Sequence, residues 1–406
     1  MKIIKSEDTT MPSKSNALRV LIYSQDGFGL GHLRRNLNIS LQIKKMSPQT
    51  SILIIADSPV APFFKLPPKC DFIKLPTIVK VDTGVWRPNR LPMHYKELLQ
   101  IREDIIQNVA LNFRPHIFLV DHMPHGALGE LRGPLESLKK HYPETKVILG
   151  LRDILGAQEV IKKMWKTEGA FETTERFYDS VYIYGCLDVF NLIEEYEFPP
   201  SVLSRARYCG YVARERKKKE NETVLKKYFA SRKEKFLMVT GGGGADASYF
   251  MDKFIDAARV LKKQVNFNAI ISTGPFMHEK QIQLLHQKAK GLPVKIVRLG
   301  SDSIDLLKRA DLVISMAGYN TISEIMRYQK NAIIIPRPGP SAEQTMRTQL
   351  LADRGLFNYI HPYQLTASNL AELIMSRLEN GTHMDEQKLP NLEGASAVAR
   401  NMLSSI

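Results

Sequence analysis

Short apolar runs recur along the chain with helical patterns between them. In the first half they are Leu18–Tyr23, Ile52–Ala56, Phe72–Leu75, Ile117–Val120, Val147–Leu149 and Val181–Tyr184. In the second half they are Phe236–Thr240, Ala269–Ile271, Val294–Val297, Asp311–Ser315 and Ala332–Ile335. Between them Leu33, Leu37 and Leu41 form one helical stripe, Phe250, Phe254, Ala257 and Leu261 a second, and Ile322, Ile325 and Met326 a third. Residues 94–113 and 126–140 carry helical patterns as well. Strands alternating with helices predict mostly parallel, doubly wound sheets, whose ligands sit outside the carboxyl ends of the strands.

The pattern runs twice. A chain of 406 residues exceeds what one hydrophobic core of ordinary size serves, so two domains are expected. The reading is a loose tail over 1–17, an α/β domain over 18–212, a charged linker over 213–232, a second α/β domain over 233–380 and a tail or helix over 381–406. The run Ala213–Glu220 is a solvated connection in this reading, with a membrane-surface patch as its alternative.

The turns after the strands hold the chemistry. In the second half, Met316-Ala317-Gly318-Tyr319-Asn320-Thr321-Ile322-Ser323-Glu324 passes from a buried strand to a helix start. Unpaired N–H groups and the helix dipole make such a place an anion site, phosphate above all. Glu324, one turn further on, then suits a ribose hydroxyl, although Thr321 and Glu324 also read as a capping box. Gly241-Gly242-Gly243-Gly244 follows another strand, where glycines let the backbone approach a ligand that side chains would block. Pro336 to Gln344 is a rigid polar loop leading into a helix that carries Arg347.

In the first half, Gly27-Phe28-Gly29-Leu30-Gly31-His32 follows the first strand. Its G-x-G-x-G spacing is neither the dinucleotide fingerprint nor the G-x-x-x-x-G-K-[ST] phosphate loop, so neither an NAD enzyme nor an ATPase is supported. His32 stands at the helix start with Arg34 and Arg35 behind it, as a catalytic or a capping residue. Asp121-His122-Met123-Pro124-His125-Gly126 ends another strand and makes a weak metal-ligand set. Arg152-Asp153 ends a third and reads as a local ion pair unless it serves a ligand. The long segment Pro76–Leu91, with Trp86, Arg87 and Arg90, is the candidate acceptor loop.

Composition narrows the partners. Lys and Arg number 57 against 42 acids, a net charge of +15, which favours anionic partners: nucleic acid, an anionic membrane surface or phosphorylated small molecules. With no zinc knuckle, RNA-binding strand motif or dense arginine tract, sequence-specific nucleic-acid binding is the weakest of the three. Cys70, Cys186 and Cys209 include no C-x-x-C pair, which fits a reducing compartment better than a disulfide framework. Residues 1–20 do not read as a signal peptide, and no apolar stretch is long enough to span a bilayer. The expectation is a cytoplasmic protein, either free or peripheral on the inner membrane surface.

Taken together, Gly241–Ala245, Ala317–Thr321 with Glu324, Ile335-Pro336 with Glu343-Gln344, and Gly355 resemble, in order and spacing, the nucleotide-sugar domain of glycosyltransferases related to MurG. Gly29-Leu30-Gly31-His32 is similar to that family's N-terminal loop. Val120-Asp121-His122 and Leu151-Arg152-Asp153-Ile154 resemble a group of glycosyltransferases with a family-28-type C-terminal domain. Two departures stand out: Glu343-Gln344 replaces the family's usual histidine-glutamine pair, and the acceptor-side hydrophobic segment has no clear counterpart.

The resemblance implies a GT-B architecture, two facing doubly wound domains with the nucleotide on the second and a final helix crossing back to the first. It also implies a UDP-sugar donor such as UDP-N-acetylglucosamine, inversion at the anomeric carbon, and no metal or other cofactor. His32 is then the first choice of base and Asp121 the second. Gly242, Gly243, Gly318, Tyr319, Asn320 and Thr321 are expected to hold the diphosphate, Glu324 the ribose, and Glu343 with Gln344 the sugar. Gly29, Gly31, Arg34, Arg152 and Trp86 face an acceptor that the sequence does not name. A nucleotide-sugar epimerase or hydrolase, and a non-catalytic nucleotide-binding protein, are the alternatives.

Overall fold

The computed structural model describes residues 17–25, 30–82, 85–216, 224–229, 234–298, 303–339, 341–381 and 384–406. The tail expected over 1–17, all but its last residue, together with Gly29 of the first loop and much of the charged linker, lies outside them.

The first domain begins with β1 (Arg19–Ser24), α1 (Gly31–Met46), β2 (Ser51–Ala56), β3 (Cys70–Lys74), β4 (Ile78–Asp82), β5 (Val85–Pro88) and α2 (Tyr95–Phe113). It continues through β6 (Ile117–Asp121), α3 (Arg132–His141), β7 (Lys146–Arg152), α4 (Gln158–Glu168), α5 (Ala170–Phe177), β8 (Ser180–Tyr184), α6 (Leu192–Glu195), α7 (Pro200–Leu203) and β9 (Ala206–Tyr208). Seven of these strands form one parallel sheet in the order β3-β2-β1-β6-β7-β8-β9.

The second domain holds β10 (Lys235–Thr240), α8 (Ser248–Leu261), β11 (Phe267–Ser272), α9 (Glu279–Lys288), β12 (Val294–Val297), α10 (Ser303–Arg309) and β13 (Leu312–Ser315). After them come α11 (Tyr319–Arg327), β14 (Ala332–Ile334), α12 (Glu343–Asp353), β15 (Asn358–Tyr359), α13 (Ala367–Asn380) and α14 (Gly394–Leu403). Its sheet is parallel in the order β12-β11-β10-β13-β14-β15. The strand order reverses between β1 and β6 in one sheet and between β10 and β13 in the other. In sheets of this kind those are the places where a crevice opens for a ligand.

The central strands are buried on both faces, which is why they read as continuous apolar runs rather than alternations. The stripe of α8 is fully buried at Phe250, Phe254, Ala257 and Leu261. On α1 the expected stripe fails at Leu41, which is 43% exposed, because Arg35, Asn36 and Ser40 turn inward with Leu33, Leu37, Ile39 and Ile43. The segment Pro76–Leu91 differs more from expectation: much of it is the antiparallel hairpin of β4 and β5, and Trp86 packs with Ile78, Leu98 and Ala127 in a small apolar cluster. Trp86 therefore has a packing role that accounts for it without an acceptor.

Among the contacts that join the domains, two are the most deeply buried. Helix α14 packs along α1, and its Val398, Ala399 and Met402 belong to one apolar core with Leu33 and Leu37 of α1 and Ile322 and Met326 of α11. Beside that core, Arg347 of α12 donates to both carboxylate oxygens of Asp153, at 2.6 and 2.7 Å, with Arg347 wholly buried and Asp153 2% exposed. Removing one member of a buried pair strands the other charge away from water. Arg347→Ala is expected to cost about 3–5 kcal/mol in equilibrium denaturation, and a loss below about 1 kcal/mol would mean that the pair does not hold the domains together.

Candidate active site

At the carboxyl edge of the first sheet, Ser24 of β1 lies in register with Asp121 of β6. Asp121 is wholly buried and takes both Oδ contacts from Arg35 Nη2, at 2.7 and 2.8 Å, with Asn36 Nδ2 at 3.1 Å. Burial alone would raise the Asp121 pKa, but the charges of Arg35 and His32 and their hydrogen bonds outweigh it and hold the carboxyl well below the usual range. A carboxylate so held accepts a proton poorly. The side chain suits orientation better than the base role expected as its alternative.

His32 stands over this pair, with Nδ1 2.9 Å from Arg35 Nη2 and 3.3 Å from Asp121 Oδ2. Arginine can only donate. If Nδ1 accepts from Arg35, Nε2 carries the ring proton; if Nδ1–H points to Asp121, Nε2 presents a lone pair and can take a proton. The carboxylate favours the second tautomer, as in hydrolase triads.

Across the cleft, β10 and β13 end side by side, with Thr240 opposite Ser315. Gly318 is the N-cap of α11, at φ −62° and ψ 136°, with no side-chain cap. Thr321 therefore lies inside the helix at its third position, and the capping-box alternative for Thr321 and Glu324 fails. The first N–H groups of α11 are left to a ligand or to water.

The glycine turn after β10 adjoins this helix start. A Cβ on Gly242 or Gly318 would come no nearer to a neighbour than Thr321 Oγ1, at 3.6 and 4.0 Å. Gly241 and Gly244 are different. There a Cβ would meet Ala247 Cβ at 2.2 Å and the Thr273 carbonyl at 1.7 Å, so packing rather than a ligand demands these two. Glu324 is partly exposed; burial raises its pKa, and the charges of Arg34 and Arg214 pull against that rise. Arg34, expected on the acceptor side, thus acts on the expected ribose partner.

The remaining expected residues divide in a way that their positions in sequence do not show. Asn320 Nδ2 donates to the Gly31 carbonyl at 3.1 Å, tying the two glycine turns together. The Tyr319 hydroxyl donates to the Tyr184 carbonyl and accepts from Val212 N–H, so its side chain is used in domain contact and only its backbone can face a phosphate. Glu343 pairs with Arg152 at 2.8 Å and Arg347 at 2.9 Å. Those two cations overcome the effect of burial and bring its pKa down to about 2. Gln344 Oε1 accepts from Arg337 N–H. Glu343 and Gln344 are thus committed within the protein rather than turned toward a sugar. Arg152 and Asp153, read as a local pair, each bond instead to the other domain.

Sequence reasoning missed the part played by Arg35 and Arg347. Arg35 lies between the Tyr184 and Tyr319 rings, at 5.2 and 5.3 Å, and Arg347 lies 5.6 Å from the same Tyr319 ring. A buried charge inside an amphipathic helix gives no periodic signal; only the Arg34-Arg35 doublet next to the glycine loop hinted at it. Several polar atoms around the cleft are buried without a hydrogen-bond partner among the described residues, including Asn36 Oδ1, His122 Nδ1, Arg152 Nε, Tyr184 Oη and Asn320 Oδ1. Such atoms concentrate where a ligand or water completes a site.

Residues 236–401 match the model of the glycosyltransferase family 28 C-terminal domain. Among curated proteins the chain is similar to the UDP-N-acetylglucosamine–N-acetylmuramyl-(pentapeptide) pyrophosphoryl-undecaprenol N-acetylglucosamine transferase of Lactococcus lactis subsp. lactis (strain IL1403). The identity is 25% over 154 residues, 38% of this chain and 43% of that protein. The same-named enzyme of Syntrophotalea carbinolica is 34% identical over 95 residues, 23% of this chain and 24% of its own. The chain thus aligns with less than half the length of the curated relatives it matches. Solved structures align over nearly the whole chain. Acinetobacter baumannii MurG has a TM-score of 0.53 and 14% identity, covering 94% of this chain and 95% of its own. The UDP-GlcNAc 2-epimerase of Neisseria meningitidis bound to UDP-GlcNAc has a TM-score of 0.59 and 12% identity, covering 96% and 100%. The fold is therefore GT-B, residues 236–401 match a glycosyltransferase family 28 C-terminal domain, and over part of its length the chain is similar to N-acetylglucosamine transferases of the MurG kind.

Proposed function

We propose that the protein is an inverting glycosyltransferase that moves a sugar, N-acetylglucosamine in the first instance, from a UDP-linked donor to an acceptor hydroxyl. The observation that carries this reading is the uncapped start of α11 beside the open side of the Gly242–Gly243 turn, across the cleft from the His32–Asp121 pair. One side of the cleft suits a diphosphate; the other suits removal of a proton.

In this reading the diphosphate lies on the N–H groups of Gly318–Thr321 and the Gly242–Gly243 turn, and Glu324 accepts from the ribose hydroxyls. The acceptor oxygen attacks the anomeric carbon from the face opposite the phosphate. Its proton passes to His32 Nε2, and the bond to the phosphate oxygen breaks with its electrons leaving on the nucleoside diphosphate. The helix dipole and N–H groups meet that charge where it develops. Asp121, held ionised by Arg35, stabilises the imidazolium that forms. An epimerase would use the same donor pocket, and one solved relative of similar fold is a UDP-GlcNAc 2-epimerase. Conversion of UDP-N-acetylglucosamine to another nucleotide sugar in the absence of acceptor would favour it. The anionic membrane surface remains a proposed partner; among the described residues no helix is long and apolar enough to cross a bilayer.

His32→Ala is expected to lower kcat on the order of a hundredfold or more with UDP affinity unchanged; near-normal turnover removes His32 as base. With Glu324→Ala the loss appears instead in donor binding, and an unchanged UDP dissociation constant by calorimetry ends the ribose assignment. The glycines separate the same way. Gly318→Ala should cost about 1 kcal/mol of stability or less while weakening UDP about tenfold. Gly244→Ala, forced against the Thr273 carbonyl at φ +89°, should lower the melting temperature first. The reverse pattern would count against a diphosphate at α11.

A further inference from the structure

His122 follows Asp121 at the end of β6 and has a backbone φ of +85°. Among the described residues five other non-glycine residues share the positive-φ region: Lys69, Arg114, Leu128, Glu197 and Gln329. Lys69 and Glu197 lie in turns, Arg114 and Gln329 at the ends of α2 and α11, and Leu128 in a 3-10 turn. Among the described residues, only His122 combines this conformation with a place at the carboxyl end of a central strand, facing the cleft. The conformation costs free energy for a residue with a Cβ, although histidine enters it more readily than most.

The backbone does not explain why an imidazole occupies this position. The backbone bond that His122 itself donates, from its N–H to the Gly150 carbonyl at 2.8 Å, would form equally with glycine or asparagine. The ring Nδ1 is shut off from solvent without a hydrogen-bond partner among the described residues, an arrangement that a purely structural side chain would avoid. What the ring does have is a position: its centroid is 5.4 Å from that of His32, the imidazole placed over Asp121.

We propose that His122 is a second imidazole of the reaction centre, a substrate-contact residue that hydrogen-bonds the acceptor beside the hydroxyl deprotonated by His32. The inference rests on the transferase reading above. Burial first, then the charges of Arg152 and His32, keep His122 far below the usual histidine range, although Asp121 pulls the other way. A neutral ring gives the acceptor a donor or acceptor atom without adding a cation that would oppose proton uptake by His32. The backbone turn is thus kept in a costly conformation so that the side chain beyond Asp121 reaches the substrate.

The test uses the full chain and its variants His122→Gly and His122→Asn, both compatible with this backbone. Three readouts are compared with wild type: melting temperature, UDP affinity by calorimetry, and transfer from UDP-N-acetylglucosamine to a panel of alkyl and aryl glycosides. His122→Gly should melt no lower than wild type, or about 2 °C higher, and should bind UDP within twofold. Its kcat/KM for the best acceptor should fall tenfold or more, mainly through KM, with His122→Asn recovering part of the loss. Transfer by His122→Gly within twofold of wild type overturns the proposal. So does a melting temperature lowered by several degrees in both variants, which would make His122 structural. A wild-type chain that binds UDP but transfers to no acceptor sinks the transferase reading and this inference with it. An active wild type with an indifferent His122→Gly sinks the inference alone.

Discussion

Two buried arginines that meet at one tyrosine ring set the terms for the rest of the molecule. Arg35 comes from the first domain, Arg347 and Tyr319 from the second. A guanidinium withdrawn from water is tolerable only beside a carboxylate that is itself hydrogen-bonded. Each arginine has one: Asp121 within its own domain, and Asp153 across the interface. The two pairs, both against Tyr319, fix how the carboxyl edges of the two sheets face each other. Tyr211 stacks on Tyr319 at 5.7 Å and extends the same contact toward the end of the first domain.

That constraint has a chemical consequence. Asp121 is satisfied by Arg35 before any substrate arrives, so what it offers to His32 is a fixed negative charge rather than a proton acceptor. The same pair decides between the two tautomers of His32, because Nδ1 can either donate to the carboxylate or accept from the guanidinium. On the opposite wall no side chain caps α11, and Asn320, whose amide reaches the Gly31 carbonyl, ties that wall to the start of α1, which carries His32. A diphosphate on α11 and a proton acceptor on α1 are thereby held at one cleft, as transfer of a sugar between two substrates requires.

Glu343 shows how position in a loop differs from availability. It lies where a sugar contact was expected, yet two arginines hold its carboxylate low and occupied. In this state the donor's sugar would meet neighbouring groups instead, or would have to draw Arg152 away from Glu343. The orphaned Nε of Arg152 is consistent with a guanidinium only partly engaged by the protein.

The sequence alone determined the repeating strand and helix pattern, the two parallel sheets, and the turns where ligands collect, because these depend on local periodicity and on glycine at strand ends. It also marked His32, Asp121, Gly318 and Glu324, all of them close to those turns. It did not reveal the hairpin inside Pro76–Leu91, where turn residues mask two short strands, nor the packing of Trp86. The partners of Arg152, Asp153, Arg35 and Arg347 were equally hidden, since a buried charge is paid for by whichever carboxylate the fold brings near, often from the other domain. Tertiary structure alone decided which glycines serve packing, which carboxylate can titrate, and which imidazole stands beside His32. Those are properties of distance and desolvation, and a linear chain records neither.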